Sequence, residues 1–203
     1  MILPTRLARL AATAALALAA CSPAQTPAVD TTAATTPPAG GTDTLGAAAG
    51  GARGTEAHAT LRTADGRPAG TVTLVDLGGT GVLVRASFTN LPAGPHALHF
   101  HDVGLCEPPF TTAGGHFNPS GRQHGFLNPQ GEHAGDLPNF TAAADGTANL
   151  ETLAPSVSLG SGAGSLLGGD GTAMMVHATG DDYRSDPAGN AGDRIACGVV
   201  ERR

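Results

Sequence analysis

Apolar and polar residues alternate in short runs along most of the chain beyond residue 55. Val, Thr and Leu dominate these runs, and turn dipeptides such as Asp65-Gly66 and Asp145-Gly146 separate them, which is typical of antiparallel strands. Seven strands are predicted in this way, at residues 57–63, 70–77, 81–91, 140–144, 148–153, 173–178 and 194–200. No segment has a convincing helical period. The pattern therefore predicts an all-β sandwich or barrel.

A further alternating run, His96-Ala97-Leu98-His99-Phe100-His101, places three histidines in one predicted strand. Side chains two positions apart point to the same side of a strand, so His99 and His101 converge, whereas Phe100 points to the other side. By the same parity, His96 faces away from that pair. We expect His99 and His101 to act together and His96 to brace the neighbouring loop by hydrogen bonds.

The alternation stops after His101, and for about thirty residues Gly, Pro and Asn recur without a period. A loop of this length inside a compact domain is usually functional or disordered. It contains His116, His124 and His133, followed by Asp136. Neutral imidazole is the commonest biological ligand for zinc and copper, and a carboxylate completes many such sites. The loop is therefore predicted to be ordered by bound metal.

The alternative is that these histidines do not form one site. Single histidines are more often surface or hydrogen-bonding residues, and His-rich tracts can bind metal loosely. Such tracts are repetitive and polar, whereas this stretch combines strand-spaced and loop-spaced histidines with apolar neighbours. His177 ends an apolar run and is a further candidate ligand, while Met175 on the same side is read as packing. His58, near the start of the domain, is read as an ordinary exposed residue.

The beginning of the chain predicts export. Residues 1–20 have a short basic head (Arg6 and Arg9) and an apolar run too short to span a bilayer permanently, as in secretory signals. The run ends Leu18-Ala19-Ala20-Cys21, which resembles the bacterial lipoprotein cleavage box, in which the cysteine becomes lipidated. An ordinary signal peptide cut near Ala20 is the alternative.

The residues after this signal predict a tether and a single domain. Ser22 stands where an aspartate would indicate retention at the inner membrane, so we expect a periplasmic protein anchored to the outer membrane. Residues 21–54 contain almost no large apolar side chain and are predicted to be a disordered tether, because burial cannot offset their ordering entropy. Residues 55–203 are a suitable size for one domain.

Charge and cysteine content narrow the possible functions. The chain has no lysine, and without Arg6 and Arg9 nine arginines face 17 acidic residues, a formal charge of −8. An acidic chain of this kind is not expected to bind nucleic acid. If Cys21 is lipidated, Cys106 and Cys197 remain, and an even pair of cysteines in an exported protein predicts a disulfide.

Six motifs within residues 55–203 carry a family resemblance. They are His99-Phe100-His101, Gly114-Gly115-His116-Phe117-Asn118-Pro119, His124-Gly125, His133-Ala134-Gly135-Asp136-Leu137, Val176-His177 and Gly189-Asn190-Ala191-Gly192-Asp193-Arg194-Ile195-Ala196-Cys197-Gly198. In residue type and spacing they resemble the motifs of the copper/zinc superoxide dismutases, in their bacterial exported branch. The resemblance implies a Greek-key β-barrel of about eight antiparallel strands, with two long functional loops outside it.

The resemblance also implies one copper ion and one zinc ion per subunit. Copper would be bound by four histidines, His99, His101, His116 and His177. Zinc would be bound by His116, His124, His133 and Asp136, so that His116 bridges both ions. Asp181 corresponds to the carboxylate that links a copper histidine to a zinc histidine. Arg194 corresponds to the arginine that attracts and orients superoxide, and Cys106 and Cys197 correspond to the family's disulfide.

The implied function is the dismutation of superoxide to oxygen and hydrogen peroxide by a copper redox cycle, in which His116 and Arg194 take part. The alternative is a non-catalytic copper-binding or copper-delivery module on the same barrel. Loss of a copper ligand or of the arginine would signal that alternative, and the sequence retains them all. Monomer and homodimer are both compatible with the sequence. The predicted second loop, residues 178–193, holds four aspartates and one arginine, and Asp193 is expected to weaken the field of its neighbour Arg194.

Overall fold

The structure is a computed structural model that describes residues 54–203. The predicted signal peptide at residues 1–20, the predicted lipidation site Cys21 and all but the last residue of the predicted tether lie outside the described residues. Within the described part, no helix has the length and apolar character needed to cross a membrane.

Strands make up almost all of the regular structure in this part of the chain. They are β1 (Glu56–Thr63), β2 (Pro68–Asp76), β3 (Val82–Phe88), β4 (Gly94–His96), β5 (Leu98–His101), β6 (Phe140–Ala142), β7 (Ala148–Ala154), β8 (Ala173–His177), β9 (Arg194–Val199) and β10 (Glu201–Arg202). One 3-10 turn at Thr111–Ala113 is the only helical element among the described residues. The strand pairings are antiparallel, which confirms the predicted all-β class.

The order of strands in the sheet differs from their order in the chain. The main sheet runs β5, β8, β9, β1, β2, β3 and β7, with β10 beside β1, and β4 pairs separately with β6. The pairing of β3 with β7 skips three intervening strands, and β1 at the start of the domain pairs with β9 near its end. Such long connections between antiparallel strands are typical of Greek-key barrels.

The predicted strand at residues 96–101 is divided into two in the structure. β4 pairs with β6, whereas β5 pairs with β8. Between them, the N–H of Ala97 donates to the carbonyl of Thr179 at 2.9 Å, and the carbonyl of Ala97 accepts from the N–H of His177 at 3.0 Å. The chain therefore changes partner at Ala97, a tertiary event that alternation alone does not reveal.

The core consists of small aliphatic residues and phenylalanine, because the chain has no tryptophan. In β1 every second residue, Ala57, Ala59 and Leu61, is buried, as expected for a strand with one face on the core. The rings of Phe88 and Phe140 stack with centroids 4.1 Å apart and connect β3 to β6. This core provides the rigid surface from which the loops extend.

A second apolar cluster holds the first loop, residues 102–139, against the barrel. Its buried members are Phe110, Ala113, Ala173, Met175 and Cys197. Met175 is fully buried in it, which confirms the interpretation of this residue as packing. Cys106 in the loop is bonded to Cys197 in β9, which confirms the predicted disulfide.

The first loop also packs against β5 and shields it from water. All four residues of β5 are buried. Phe100 donates its N–H to the carbonyl of Gly135 at 2.9 Å and accepts from the N–H of Phe117 at 2.8 Å. A side chain at Gly135 would lie 2.5 Å from the Phe100 carbonyl oxygen, so glycine is required for this close approach. The histidines of β5 consequently face a packed loop instead of solvent.

Candidate metal centre

Four histidines converge from three parts of the fold, and we call them the four-histidine group. His99 and His101 lie in β5, His116 in the first loop and His177 at the end of β8. One ring nitrogen of each lies within 4.8 Å of the others, and all four side chains are buried. Because β5 and β8 are paired neighbours, the rings of His99 and His177 lie 5.0 Å apart.

One ring nitrogen of each of these histidines has no hydrogen-bond partner. Among residues 54–203, the buried side-chain atoms without a partner are His58 Nδ1, His99 Nδ1, His101 Nε2, His116 Nε2 and His177 Nε2. An unpaired buried polar atom costs about 1–3 kcal/mol, so four such nitrogens at one place indicate a shared ligand. A copper ion fits, because it prefers imidazole nitrogen.

Burial keeps the four-histidine group neutral. It lowers the pKa of His99 to about 3, that of His101 to about 2 and that of His177 to about 4. Burial also lowers the pKa of His116, and the positive charge of Arg194 lowers the pKa values of His101 and His177 further. Metal ions bind the deprotonated nitrogen, so at neutral pH the group is in its binding form.

Three histidines and one carboxylate in the first loop form a second set, which we call the mixed group: His116, His124, His133 and Asp136. The Nδ1 atoms of the three histidines lie 2.9, 3.1 and 3.4 Å from Asp136 Oδ1, and those of His116 and His133 lie 3.5 Å apart. Ligands at about 2.0–2.1 Å from a tetrahedral zinc ion are roughly 3.3 Å from one another. The mixed group therefore has the donor set and the size of a zinc site.

The charges in the mixed group are set by hydrogen bonds that outweigh burial. Burial favours the neutral acid, but bonds from the three imidazoles and from the N–H of Gly125 lower the pKa of Asp136 well below its usual range. Burial also disfavours a charged His124, yet bonds to Asp136 and Asp181 raise its pKa to about 9. Metal binding at the mixed group must therefore displace a proton from His124.

His116 belongs to both groups through opposite sides of its ring. Its Nε2 is one of the unpartnered nitrogens of the four-histidine group, and its Nδ1 lies 2.9 Å from Asp136 in the mixed group. An imidazole flanked by two cations loses its second proton readily. The geometry therefore allows His116 to bridge two metal ions.

Asp181, in the second loop (residues 178–193), connects the two groups a second time. Its Oδ2 lies 3.0 Å from His99 Nε2, and its Oδ1 lies 3.0 Å from His124 Nε2. In both histidines Asp181 contacts Nε2, so Nδ1 points into the ligand group. His99 Nδ1 is unpartnered in the four-histidine group, and His124 Nδ1 faces Asp136 in the mixed group. A carboxylate placed in this way fixes the orientation of both rings.

Arg194 lies at the start of β9, where the β8–β9 ladder pairs it with His177. Its Nη1 donates to the carbonyl of Phe110 and its Nη2 to that of Gly114, both at 2.6 Å. The Gly114 carbonyl also lies 3.1 Å from His101 Nδ1. Guanidinium has five N–H donors, so the first loop holds the group in place and leaves donors for an anion.

Two opposing influences act on the pKa of Arg194. Burial lowers this pKa, and the negative charge of Asp102 raises it. Asp193 precedes Arg194 just outside β9, and its expected effect on the field of Arg194 stays a prediction.

Two other histidines lie apart from both groups. The Nδ1 of His96 lies 2.8 Å from the carbonyl oxygen of His177, and its Nε2 lies 2.7 Å from that of Pro92. Both nitrogens contact backbone, which leaves neither for a metal ion. His58, which was expected to be exposed, is half-buried in β1, where it pairs with Glu201 of β10 and its Nε2 lies 3.8 Å from the Glu201 carboxylate.

Two polar residues of the site carried no sequence signal. Asn139 donates from Nδ2 to the carbonyl of Asp181 and accepts at Oδ1 from its N–H, both at 2.9 Å, across 42 positions. Tyr183 donates its N–H to Asp181 Oδ1 at 2.6 Å. Asparagine and tyrosine are ordinary loop residues, and only the folded loops show that they hold Asp181. The one available hint was that Tyr183 is the sole tyrosine of the chain.

Comparison with known proteins gives a consistent result. The family model for copper/zinc superoxide dismutase (SODC) matches residues 68–200. The chain is 46% identical over 148 residues to superoxide dismutase (Cu-Zn) 2 of Aquifex aeolicus, covering 71% of this chain and 86% of that protein. It is 44% identical over 149 residues to superoxide dismutase (Cu-Zn) of Caulobacter vibrioides, covering 71% and 85%.

A solved structure supports the fold as well. The crystal structure of a SOD-like protein from Bacillus subtilis is similar with a TM-score of 0.67 at 38% identity, over 70% of this chain and 96% of that chain. Strand topology, the two groups of potential ligands and these matches agree. The chain belongs to the copper/zinc superoxide dismutase family.

Proposed function

We propose that the protein catalyses the dismutation of superoxide, in which two superoxide ions and two protons become one oxygen and one hydrogen peroxide molecule. The observation that carries this proposal is the position of His116, whose opposite nitrogens belong to two convergent groups. Family membership supports the same reaction, because the Aquifex and Caulobacter relatives are named Cu-Zn superoxide dismutases.

The two groups differ in the metal that they fit. Copper would be held by the four-histidine group, and zinc by the mixed group, with His116 shared between them. When bound, copper would supply a reversible one-electron couple, and zinc a fixed positive charge without redox chemistry.

The residues around these ions have separate tasks. Burial keeps the imidazoles of the four-histidine group neutral, so their nitrogens are free for copper. Asp181 holds the rings of His99 and His124 in fixed orientations. The Nε2 atom of His116 has no partner within the described residues, so it is the atom at which this ring would take up or release a proton whenever copper does not hold it.

Arg194 is proposed to attract the substrate anion. The described domain is acidic, so attraction must come from local groups and not from the net charge. The guanidinium is held beside the four-histidine group by two carbonyls, and it keeps unused N–H donors. It can therefore bind superoxide without first having to reorient.

The test is the decay of superoxide, followed by pulse radiolysis. Protein reconstituted with copper and zinc should accelerate the decay well above an equal concentration of free copper, and protein loaded with zinc alone should not. Protein that binds copper tightly but leaves the decay at the control rate would overturn the proposal. That result would favour a copper-binding or copper-delivery module instead.

We further propose that the protein is exported to the periplasm and anchored to the outer membrane by a lipid on Cys21. The basic head and apolar run of residues 1–20 support this location, and so does the disulfide, since disulfides persist in oxidising compartments. The mature protein should begin at Cys21 and carry the mass of its acyl chains, and Cys21→Ala should release it from membranes. An unmodified Cys21 in membrane-free wild-type protein would contradict the anchor.

A further inference from the structure

We propose that Tyr183 is a positioning residue, which holds Asp181 and through it His124 in the geometry that retains the zinc ion of the mixed group. No sequence motif pointed to this residue. The inference depends on the proposed zinc site, and the experiment below separates the two.

Tyr183 belongs to the second loop but contacts the first loop at three places. Its hydroxyl accepts a hydrogen bond from the N–H of Asn139 at 2.7 Å. Its carbonyl accepts from the N–H of Leu127 at 2.9 Å. Its ring lies against that of Phe126, with centroids 5.3 Å apart. One side chain and its backbone thus connect the two loops that together surround the mixed group.

These contacts close a ring of hydrogen bonds around Asp181. Asn139 binds the backbone of Asp181 twice through its side-chain amide, while its own N–H is held by the Tyr183 hydroxyl. The N–H of Tyr183 completes the ring by donating to Asp181 Oδ1 at 2.6 Å. Without the hydroxyl, the part-buried N–H of Asn139 loses its acceptor, and the amide that holds Asp181 loses its anchor.

The backbone at Tyr183 supports a specific role. Its φ is 60°, a left-handed conformation that bulky residues rarely adopt. Such conformations persist where the surroundings over-determine them, and they concentrate at functional sites. A side chain at Gly125 would overlap the carbonyl of Tyr183, and one at Gly189 would overlap the carboxylate of Asp181. The two loops are therefore tightly packed at this point, and a shift of Tyr183 would move Asp181 as well.

The contact of Asp181 with His124 carries the effect to the metal site. The oxygen that accepts from Tyr183, Asp181 Oδ1, also lies 3.0 Å from His124 Nε2. The opposite nitrogen of His124 is the one in the mixed group. Loss of a group that orients a metal ligand typically costs about 10–100-fold in affinity. Tyr183 acts one contact further out, so we expect an effect near the lower end of that range.

Tyr183→Phe removes the hydroxyl and keeps the ring against Phe126. Cobalt(II) loaded in place of zinc reports the geometry of the site by its visible absorption, and its transfer to excess chelator gives a release rate. We expect altered absorption bands and release roughly tenfold faster than from the wild type. The matched control is Ser87→Ala, which removes a hydroxyl hydrogen-bonded to Asn149 in the β3–β7 ladder and should leave both readouts unchanged.

A second background distinguishes positioning from general support of the loops. In Asp181→Asn protein, Tyr183→Phe should have little further effect on release, because it acts through the carboxylate already removed. An equal effect in both backgrounds, or wild-type release from the single variant, would overturn the role of Tyr183 while leaving the zinc site intact. Wild-type protein that takes up no cobalt would overturn the zinc site and this inference together.

Discussion

Arg194 is the residue on which, in our proposal, the attraction of superoxide depends. No lysine is present anywhere in the chain, and the second loop offers only the exposed Arg184 beside its four aspartates. The carbonyls of Phe110 and Gly114 hold the Arg194 guanidinium beside the four-histidine group. Burial lowers the pKa of Arg194, and the negative charge of Asp102 acts in the opposite direction. Arg194 should therefore account for an unusually large share of the steering.

Arg194→Ala should slow dismutation by the metal-loaded protein at least about tenfold and flatten its dependence on salt. Clefts that focus charge raise association rates by about 10–1000-fold, and salt screens this attraction over a Debye length of about 8 Å. Pulse radiolysis from low to high ionic strength measures both effects. Arg85→Ala removes the same charge from an exposed pair with Glu151 and should change the rate little. A wild-type rate at every salt concentration would remove the arginine from the mechanism.

The first loop has almost no regular structure, yet it carries the larger part of the site. All four residues of the mixed group lie in it, as do both carbonyls that hold Arg194. Backbone hydrogen bonds to Phe100 fix one part of the loop to β5. The disulfide between Cys106 and Cys197 fixes another part to β9, beside Phe110. The disulfide and these backbone hydrogen bonds therefore hold the first loop in place, as strand pairing does in the rest of the domain.

Replacing both disulfide cysteines, Cys106→Ser and Cys197→Ser, should destabilise the protein and lower its activity. The bond spans 91 positions, and closing a loop of that length is worth about 4–5 kcal/mol in the chain-entropy account. Urea unfolding of the oxidised wild type and of the variant measures the difference. Reduction of the wild type should reproduce the loss, whereas reductant should not affect the variant. A loss under about 1 kcal/mol would mean that packing around Phe110 holds the loop without the bond.

At the scale of the whole molecule, the site contains buried histidines whose protonation changes the free energy of unfolding when metal is absent. Burial lowers the pKa values of His99, His101 and His177 to about 3, 2 and 4. The pKa of His124, held between two carboxylates, is raised to about 9. In the unfolded chain, the pKa values of all four histidines would be about 6.5. The metal-free fold is therefore sensitive to pH in two opposite directions.

The stability of metal-free protein should be greatest near pH 6.5–7 and should fall on both sides. Below about pH 6.5, His99, His101 and His177 become protonated in the unfolded chain but stay neutral in the folded protein. Each of the three therefore lowers the free energy of unfolding by on the order of 1–2 kcal/mol at pH 5. Above about pH 6.5, the stabilisation from charged His124 is lost progressively as the pH rises through about 9.

Urea unfolding of chelator-treated protein between pH 5 and 9 measures this profile, and metal-loaded protein is the control. Bound metal excludes protons from the same nitrogens, so the loaded protein should vary less over this range until acid releases the metal. A metal-free protein with equal stability at pH 5 and pH 7 would mean that these histidines remain exposed to solvent in solution.

By itself, the sequence determined the fold class, the cysteine pair and the residue types able to bind metal. These are local or compositional properties: alternation with a period of two, a count of cysteines and the spacing of histidines along a strand and a loop. The parity of His99 and His101 is of this kind, because it follows from the geometry of a single strand. The predictions of a signal peptide, a lipid anchor and a tether rest on the same local reasoning and stay predictions.

Only the tertiary structure decided how these residues meet. The division of the predicted strand at Ala97 depends on a change of pairing partner, which no local pattern records. The choice of ring nitrogen in His99 depends on Asp181, 82 positions away. The charge that raises the pKa of Arg194 against burial is that of Asp102, which lies far from it in the chain. In each case the physical reason is the same: hydrogen bonds and charges act through space over a few ångströms, and only folding sets those distances.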